Sequence, residues 1–126
     1  MENDCEIEGT EFDWFAVDKH GQFALFATAG YGPVPPSVRG SIASHATIGD
    51  NIEVTGLGST DVWQSYSRVG LFAYDWSASQ GRYLRVAEPS APLSAGVATS
   101  LAACSNLPAL SLSFAQALAI EPPWRL

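Results

Sequence analysis

Residues 11–28 have the sequence Glu-Phe-Asp-Trp-Phe-Ala-Val-Asp-Lys-His-Gly-Gln-Phe-Ala-Leu-Phe-Ala-Thr. Two runs rich in aromatic and branched side chains flank the link Asp18-Lys-His-Gly21, whose final glycine is typical of a hairpin turn. The runs carry more apolar side chains than a half-exposed hairpin needs. We therefore predict two paired strands, at residues 11–18 and 22–28, that are covered at least in part on both faces.

The chain on the C-terminal side of this hairpin continues with strands and helices. Ala29-Gly-Tyr-Gly-Pro-Val-Pro-Pro36 predicts a rigid loop. Residues 37–52 predict a helix, with Ser37 as its candidate cap, and residues 60–70 predict a second, short helix. A second hairpin is predicted from residues 70–76 and 83–87, and alternating apolar residues predict a last strand at residues 110–120. These elements predict an α+β fold, with a mostly antiparallel sheet built from hairpins and with helices packed on one side.

The size and composition of the chain favour one globular domain. Its 126 residues are 47% hydrophobic and 15% charged, which allows a core to form without disulfides or a structural metal. We therefore expect a single domain over residues 1–126, in which the acidic residues 1–10 form a loosely held end.

The net charge of -7 is concentrated near the N-terminus. Seven acidic residues precede the first basic residue, Lys19: Glu2, Asp4, Glu6, Glu8, Glu11, Asp13 and Asp18. Few and scattered basic residues make nucleic acid a poor partner, whereas a basic protein would be attracted to the acidic end. The other interpretation is that the acidic end only keeps the protein soluble.

The location expected for this chain is the cytoplasm. The N-terminus lacks the basic and apolar regions of a secretory signal, and polar residues interrupt residues 89–120 too often for a membrane span. Cys5 and Cys104 are accordingly expected to be free thiols.

No complete catalytic, metal or cofactor motif is present. The serine-hydrolase pattern Gly-x-Ser-x-Gly is missing, and the two Gly-x-Gly pairs do not extend into a nucleotide-binding sequence. Cys5, Cys104, His20 and His45 come from four separate segments without the paired spacing of zinc ligands. We therefore predict no catalytic residue, no metal site and no cofactor.

Aromatic residues are the most distinctive side chains of the sequence. Trp and Tyr dominate the energetics of protein interfaces, although most large aromatic residues belong to the core. Tyr31 in the Gly/Pro loop and Trp124 near the C-terminus are the best candidates for exposure, and Trp63 is a further candidate anchor.

The motif Asp13-Trp-Phe-Ala-Val-Asp18, followed by a Gly turn, an apolar strand and Gly30-Tyr-Gly-Pro-Val-Pro35, resembles a group of small uncharacterised bacterial proteins. The resemblance continues at residues 70–76 and 83–89 and covers about half of the chain, whereas residues 37–60 depart from it. Proteins of this group resemble immunity proteins of polymorphic or secreted toxin systems. The resemblance implies a cytosolic inhibitor that binds a cognate toxin, and it brings no catalytic residues.

We therefore expect a non-enzymatic immunity protein that neutralises a toxin by protein–protein contact, and a basic toxin would suit the acidic N-terminal end. The acidic residues Glu2, Asp4, Glu6, Glu8 and Glu11 would steer the partner, and Tyr31, Trp63 and Trp124 would anchor it. Two alternatives stay open. One is a small enzyme or ligand-binding domain with a pocket beside the loop from Gly30 to Pro36, which would use Asp18, His20, Asp75 or Arg85. The other is a self-associating structural module such as a homodimer.

Overall fold

The computed structural model describes residues 12–56 and 59–121 of the chain. It contains, in chain order, β1 (Asp13–Val17), β2 (Phe23–Ala27), α1 (Pro36–Arg39), α2 (Ile42–Asp50), α3 (Val62–Arg68), β3 (Phe72–Ser77), β4 (Arg82–Ala87), α4 (Ala95–Ala103) and β5 (Ala119–Ile120). The acidic N-terminal segment, Cys5 and Trp124 lie outside the described residues, so the predictions made for them stay predictions.

The strands form one five-stranded sheet in the order β1-β2-β3-β4-β5. Both predicted hairpins are confirmed, because β1 pairs with β2 and β3 pairs with β4 in antiparallel fashion. The exception is β2 and β3, which are parallel. Parallel neighbours need a long crossover, which here contains α1, α2 and α3. The predicted α+β class with a mostly antiparallel sheet is therefore confirmed.

Each face of the sheet carries its own hydrophobic core. On the first face, called here the helix face, Phe15 and Leu25 pack with residues of α2, α3 and α4. On the second, called here the loop face, Trp14 and Phe26 pack against irregular segments at residues 33–38 and 110–117. The three longer helices thus lie on one side, as predicted, and only the single turn α1 lies on the other.

The first hairpin is closed by the carboxylate of Asp18. Its Oδ1 atom accepts hydrogen bonds from the backbone N–H groups of His20 and Gln22, each at 2.9 Å. Gly21 adopts a φ of 80°, a backbone conformation that glycine enters without steric cost. The glycine at the end of the predicted turn therefore has the role that its position suggested.

The predicted strand over residues 110–120 is wrong except for its last two residues, which form β5. The segment crosses the loop face irregularly, and its backbone bonds partly to the backbone of β1 and β4 and partly to side chains. The N–H of Leu110 donates to the carbonyl oxygen of Val17, and the carbonyl oxygen of Leu118 accepts from the N–H of Arg85. Asp18 accepts from the N–H of Phe114, while Arg85 donates to the carbonyl oxygens of Phe114 and Ala115. Leu118, expected on the apolar side, is 68% exposed.

The predicted helix over residues 37–52 is divided into two. α1 begins at Pro36, and Pro35 rather than Ser37 occupies its cap position, while the chain leaves the helix at Gly40 and begins α2 at Ile42. Glycine has a low helix propensity, which explains the break. The short predicted helix at residues 60–70 is confirmed as α3, although Asp61 makes no side-chain cap hydrogen bond.

Candidate partner-binding groove

Two carboxylates stand side by side at one end of the sheet. Asp13 of β1 and Asp75 of β3 both pair with Ala27 of β2, one from each side. Side chains of directly paired residues lie on the same face, so both carboxylates belong to the helix face. Two inter-strand spacings separate their Cα atoms by about 10 Å. The small side chain of Ala27 leaves a gap between them.

Helix α3 places two aromatic side chains over this gap. Trp63 and Tyr66 lie three residues apart on the helix, and their ring centroids are 6.1 Å from each other. Together with Asp13, Ala27 and Asp75 they line a cavity of about 620 Å³. This cavity, called here the acidic cleft, is also lined by Phe12, Ala29, Ser59, Thr60 and Val62. Its volume is within the range of ordinary ligand-binding pockets.

A second cavity of about 400 Å³ continues from the acidic cleft beneath α2. The two cavities share Phe12, Asp13 and Tyr66, and the second adds the carboxylate of Asp50. No Lys or Arg is among the described residues that line either of them. The described residues that line the combined groove are therefore aromatic, acidic and small.

The hydroxyl group of Tyr66 is a buried polar group of this groove. The residue is 6% exposed, and its hydroxyl makes no hydrogen bond to another residue within the described ranges. Burial, together with the negative charge of Asp13, raises the pKa of Tyr66 to about 12, so the hydroxyl is neutral at physiological pH. Most buried hydroxyl groups in proteins have a partner, which makes this one a feature to explain.

His45 of α2 also lines the groove, but both of its ring nitrogens contact other residues of the fold. Nδ1 accepts a hydrogen bond of 3.0 Å from the backbone N–H of Phe15, on the edge of the sheet that β2 does not cover. Nε2 lies 3.9 Å from Sγ of Cys104. Because Nδ1 must stay unprotonated to accept from Phe15, the neutral ring carries its proton on Nε2. This arrangement disfavours an imidazolium–thiolate pair, and burial lowers the pKa of His45 to about 4.

The residues that the enzyme alternative would use do not meet in a pocket. Asp18 and Arg85 are bound to the backbone at residues 114–115. His20 lies exposed on the hairpin turn and Asp75 lines the acidic cleft. The cavity against the loop at residues 30–34 measures only about 140 Å³, and a larger one of about 660 Å³ beyond Pro35 is lined by none of these four residues.

The predicted anchor residues occupy different parts of the surface. Tyr31 is 76% exposed, as the Gly/Pro loop predicted, and contributes to the small cavity beside that loop. Trp63 is half-buried and separates the acidic cleft from a shallower apolar groove that contains Val86. The structure therefore brings Trp63, but not Tyr31, together with the carboxylates. Sequence analysis did not identify Asp13, Ala27, Tyr66 or the pairing that brings them together.

Three searches of this structure and sequence returned no match. No model of a known protein family fits the chain, and neither a curated protein nor a solved structure is significantly similar to it. Over residues 12–56 and 59–121, none of the helices has the length and apolar content needed to cross a membrane. The same residues contain no group of three His, Cys, Asp or Glu side chains placed to hold a metal ion.

Proposed function

We propose that this chain is a cytoplasmic immunity protein, which binds a cognate bacterial toxin and inhibits it by contact, without turnover of a substrate. The observation that carries this proposal is the groove formed by α3 and the ends of β1, β2 and β3. It combines a half-buried Trp with carboxylates on both sides of a small floor residue. Trp residues at the rim of a cavity are frequent anchors of protein interfaces.

The charge distribution supports a basic partner. The groove carries Asp13, Asp50 and Asp75, and five further acidic residues lie in the N-terminal segment (Glu2, Asp4, Glu6, Glu8 and Glu11). Complementary charge accelerates association and helps select the partner. The resemblance of the hairpin motifs to immunity proteins is consistent with the same function.

The roles of the other ionisable residues also support contact as the mode of action. Asp18, Arg85 and His45 are engaged with backbone groups on which the fold depends. A protein that acts by contact needs a rigid surface, and such bonds hold surface segments in place. The proposal therefore assigns stabilisation of the fold and binding of the partner to different residues.

The proposal is tested by co-expressing the chain with the product of the adjacent gene and scoring host survival and co-purification. Rescue together with a stable complex is the expected result. Trp63→Ala should weaken that complex about tenfold or more, as the loss of an interface anchor does. Leu118→Ala is the matched control, because it removes an exposed apolar side chain outside the groove.

A harmless neighbour, or a toxic one that is neither bound nor rescued, would refute the immunity function. Size-exclusion chromatography of the chain alone checks the self-association alternative in the same experiment. Elution as a dimer that Trp63→Ala dissociates would instead assign the groove to a contact between two copies.

A further inference from the structure

A further cavity lies between the two edges of the sheet. It measures about 660 Å³ and is bordered by β5 on one side and by residues 108–112, which run beside β1, on the other. The indole N–H of Trp14 on β1 donates to the hydroxyl of Tyr83 on β4 at 3.2 Å, although a flat sheet would hold these strands about 14 Å apart. This contact indicates that the sheet curls around the loop face. The cavity, called here the edge slot, lies where the two edges face each other.

On the first side of the edge slot, β5 turns backbone groups away from the sheet. The carbonyl oxygen of Leu118 accepts from the backbone N–H of Arg85, and Ile120 is paired with β4. Successive residues of a strand direct their backbone groups to opposite sides, so the N–H and C=O groups of Ala119 point away from β4. Within residues 12–56 and 59–121, neither of these two groups has a hydrogen-bond partner.

The second side of the edge slot repeats this arrangement. The N–H of Val17 donates to the carbonyl oxygen of Pro108, and the carbonyl oxygen of Val17 accepts from the N–H of Leu110. The backbone groups of Ala109 therefore point away from β1, and the described part of the chain supplies no partner for them either. Unpaired groups at a sheet edge are a template for another strand, and here two such edges border one cavity.

The edge slot has room for a short extended chain. Four residues of extended chain need about 600 Å³ at the spacings found within and between sheets. Most side chains that line the slot are apolar, among them Leu110, Leu112 and Ile120, and Glu121 is the one charged residue in the described lining. This lining favours an occupant with apolar side chains at alternate positions and a basic residue near one end.

We infer that the edge slot binds an extended, proline-free segment of a partner protein as an additional strand between β5 and residues 108–112. Both sides of the slot offer backbone groups, so the occupant must have both of its own edges unpaired. Every described strand of a second copy is already paired on at least one side. In residues 122–126, Pro122 and Pro123 lack the N–H group that a strand paired on both sides needs. The inference goes beyond the proposed function, because it concerns a surface outside the groove of Trp63.

The test uses the full chain and the peptide acetyl-Lys-Val-Thr-Val-Thr-Val-Lys-amide, titrated while amide hydrogen exchange is followed by nuclear magnetic resonance. The matched control peptide is N-methylated on its two Thr residues, which keeps the charge and the side chains but removes donors along one edge. The first peptide should bind saturably and at least tenfold more tightly than the control. In its complex the amides of Ala109 and Ala119 should exchange at least tenfold more slowly, which reports new backbone hydrogen bonds.

Two pairs of variants locate the peptide. Ala119→Pro removes a slot donor but no hydrogen bond of the fold and should weaken binding at least fivefold, whereas Ala119→Gly keeps the donor and should change binding less than twofold. Glu121→Gln should weaken binding of the dibasic peptide at least twofold. Asp61→Asn, the same charge change outside the slot, should not.

The same spectra report whether each variant is folded, and the N-methylated peptide keeps the test valid if Ala119→Pro is not. Equal binding of the two peptides, unchanged exchange of both amides, or equal effects of Ala119→Pro and Ala119→Gly in folded variants would overturn the inference. The experiment does not involve the toxin, so such a failure leaves the proposed function unaffected.

Discussion

The two faces of the sheet differ in one buried hydroxyl group. Each face holds buried polar side chains that are hydrogen-bonded, among them His45 on the helix face. On the loop face every such group that we describe is bonded: Asp18 accepts from three backbone N–H groups, and Tyr74 and Tyr83 donate to carbonyl oxygens. On the helix face, the Tyr66 hydroxyl has no partner among the described residues. Bonded groups of this kind hold a fold in one conformation, whereas a buried polar group without a partner is rare in proteins.

The contrast arises from the kind of segment that covers each face. Irregular chain carries backbone N–H and C=O groups that no helix or strand satisfies, so side chains must bond to them. Helices satisfy their own backbone, and α2 and α3 therefore cover the other face without needing polar side chains from the sheet. Asp13, Asp75 and Tyr66 line the groove on this face.

The largest effect is expected for Asp18, the centre of the loop face. Asp18→Ala removes an acceptor of three backbone hydrogen bonds and leaves the buried N–H of Phe114 without its acceptor, which should lower the free energy of unfolding by about 3 kcal/mol. Urea denaturation measures the change. Asp61→Ala is the control, since Asp61 is exposed and makes no cap hydrogen bond, and a loss as large in that variant would contradict the special role of Asp18.

The charge of Asp18 gives the same prediction a pH dependence. Burial alone would raise the pKa of Asp18, but the N–H groups of Phe114, Gln22 and His20 outweigh it, and the pKa lies below its ordinary value. Its contribution to stability is therefore complete above the unfolded pKa, near pH 4, and is lost as the pH falls through the lower folded value. Asp18→Ala should lack this acid-dependent loss.

The next effect concerns His45, which closes the open edge of β1 on the helix face. Its pKa of about 4 in the folded protein is below the unfolded value of 6.5, so the unfolded chain binds the proton more tightly. Stability should therefore fall as the pH drops from about 6.5 to about 4, by about 3 kcal/mol at most. His45→Gln should remove this slope in urea denaturation, and the exposed His20→Gln should retain it. A wild-type protein with no slope in this window would contradict the buried neutral ring.

The sequence predicted those parts of the fold that depend on local signals. Alternation and a glycine turn were sufficient for both hairpins, because the pairing partners are close along the chain. The last strand failed for a physical reason. Leu110, Leu112 and Phe114 alternate because they pack onto the loop face. The backbone of the segment bonds to single backbone groups at residues 17 and 19 and to the side chains of Asp18 and Arg85, all of them distant in sequence, and so forms no continuous strand there.

The groove shows the same difference between features that follow from local sequence and features that depend on contacts between distant residues. Trp63 was identifiable from its residue type, since exposed Trp is a typical interface residue. The cleft itself was not, because it depends on the parallel pairing of β2 with β3, which brings residues 13 and 75 to either side of Ala27. One local signal did exist: each hairpin carries an Asp-Trp pair, at residues 13–14 and 75–76, and both carboxylates line the cleft.

A smaller loss of stability is expected when the hydroxyl group of Tyr74 on the loop face is removed. The Tyr74 hydroxyl donates to two carbonyl oxygens, that of Ala117 at 2.6 Å and that of Phe114 at 3.2 Å. Tyr74→Phe leaves buried carbonyl groups without this donor and should lower the free energy of unfolding by about 1–2 kcal/mol. In nuclear magnetic resonance spectra of the variant, shifted backbone amide signals of residues 113–117 would locate the change. An unchanged stability would contradict the structural role of this hydroxyl.

The smallest effect is expected for the same substitution on the helix face. Tyr66→Phe removes a hydroxyl that bonds to no other described residue, so the free energy of unfolding should stay within about 0.5 kcal/mol of the wild-type value. Urea denaturation of Tyr66→Phe and Tyr74→Phe compares the free energies of unfolding of two variants that each lose one tyrosine hydroxyl. A cost equal to that of Tyr74→Phe would mean that the Tyr66 hydroxyl stabilises the fold as much as the bonded hydroxyl of Tyr74 does.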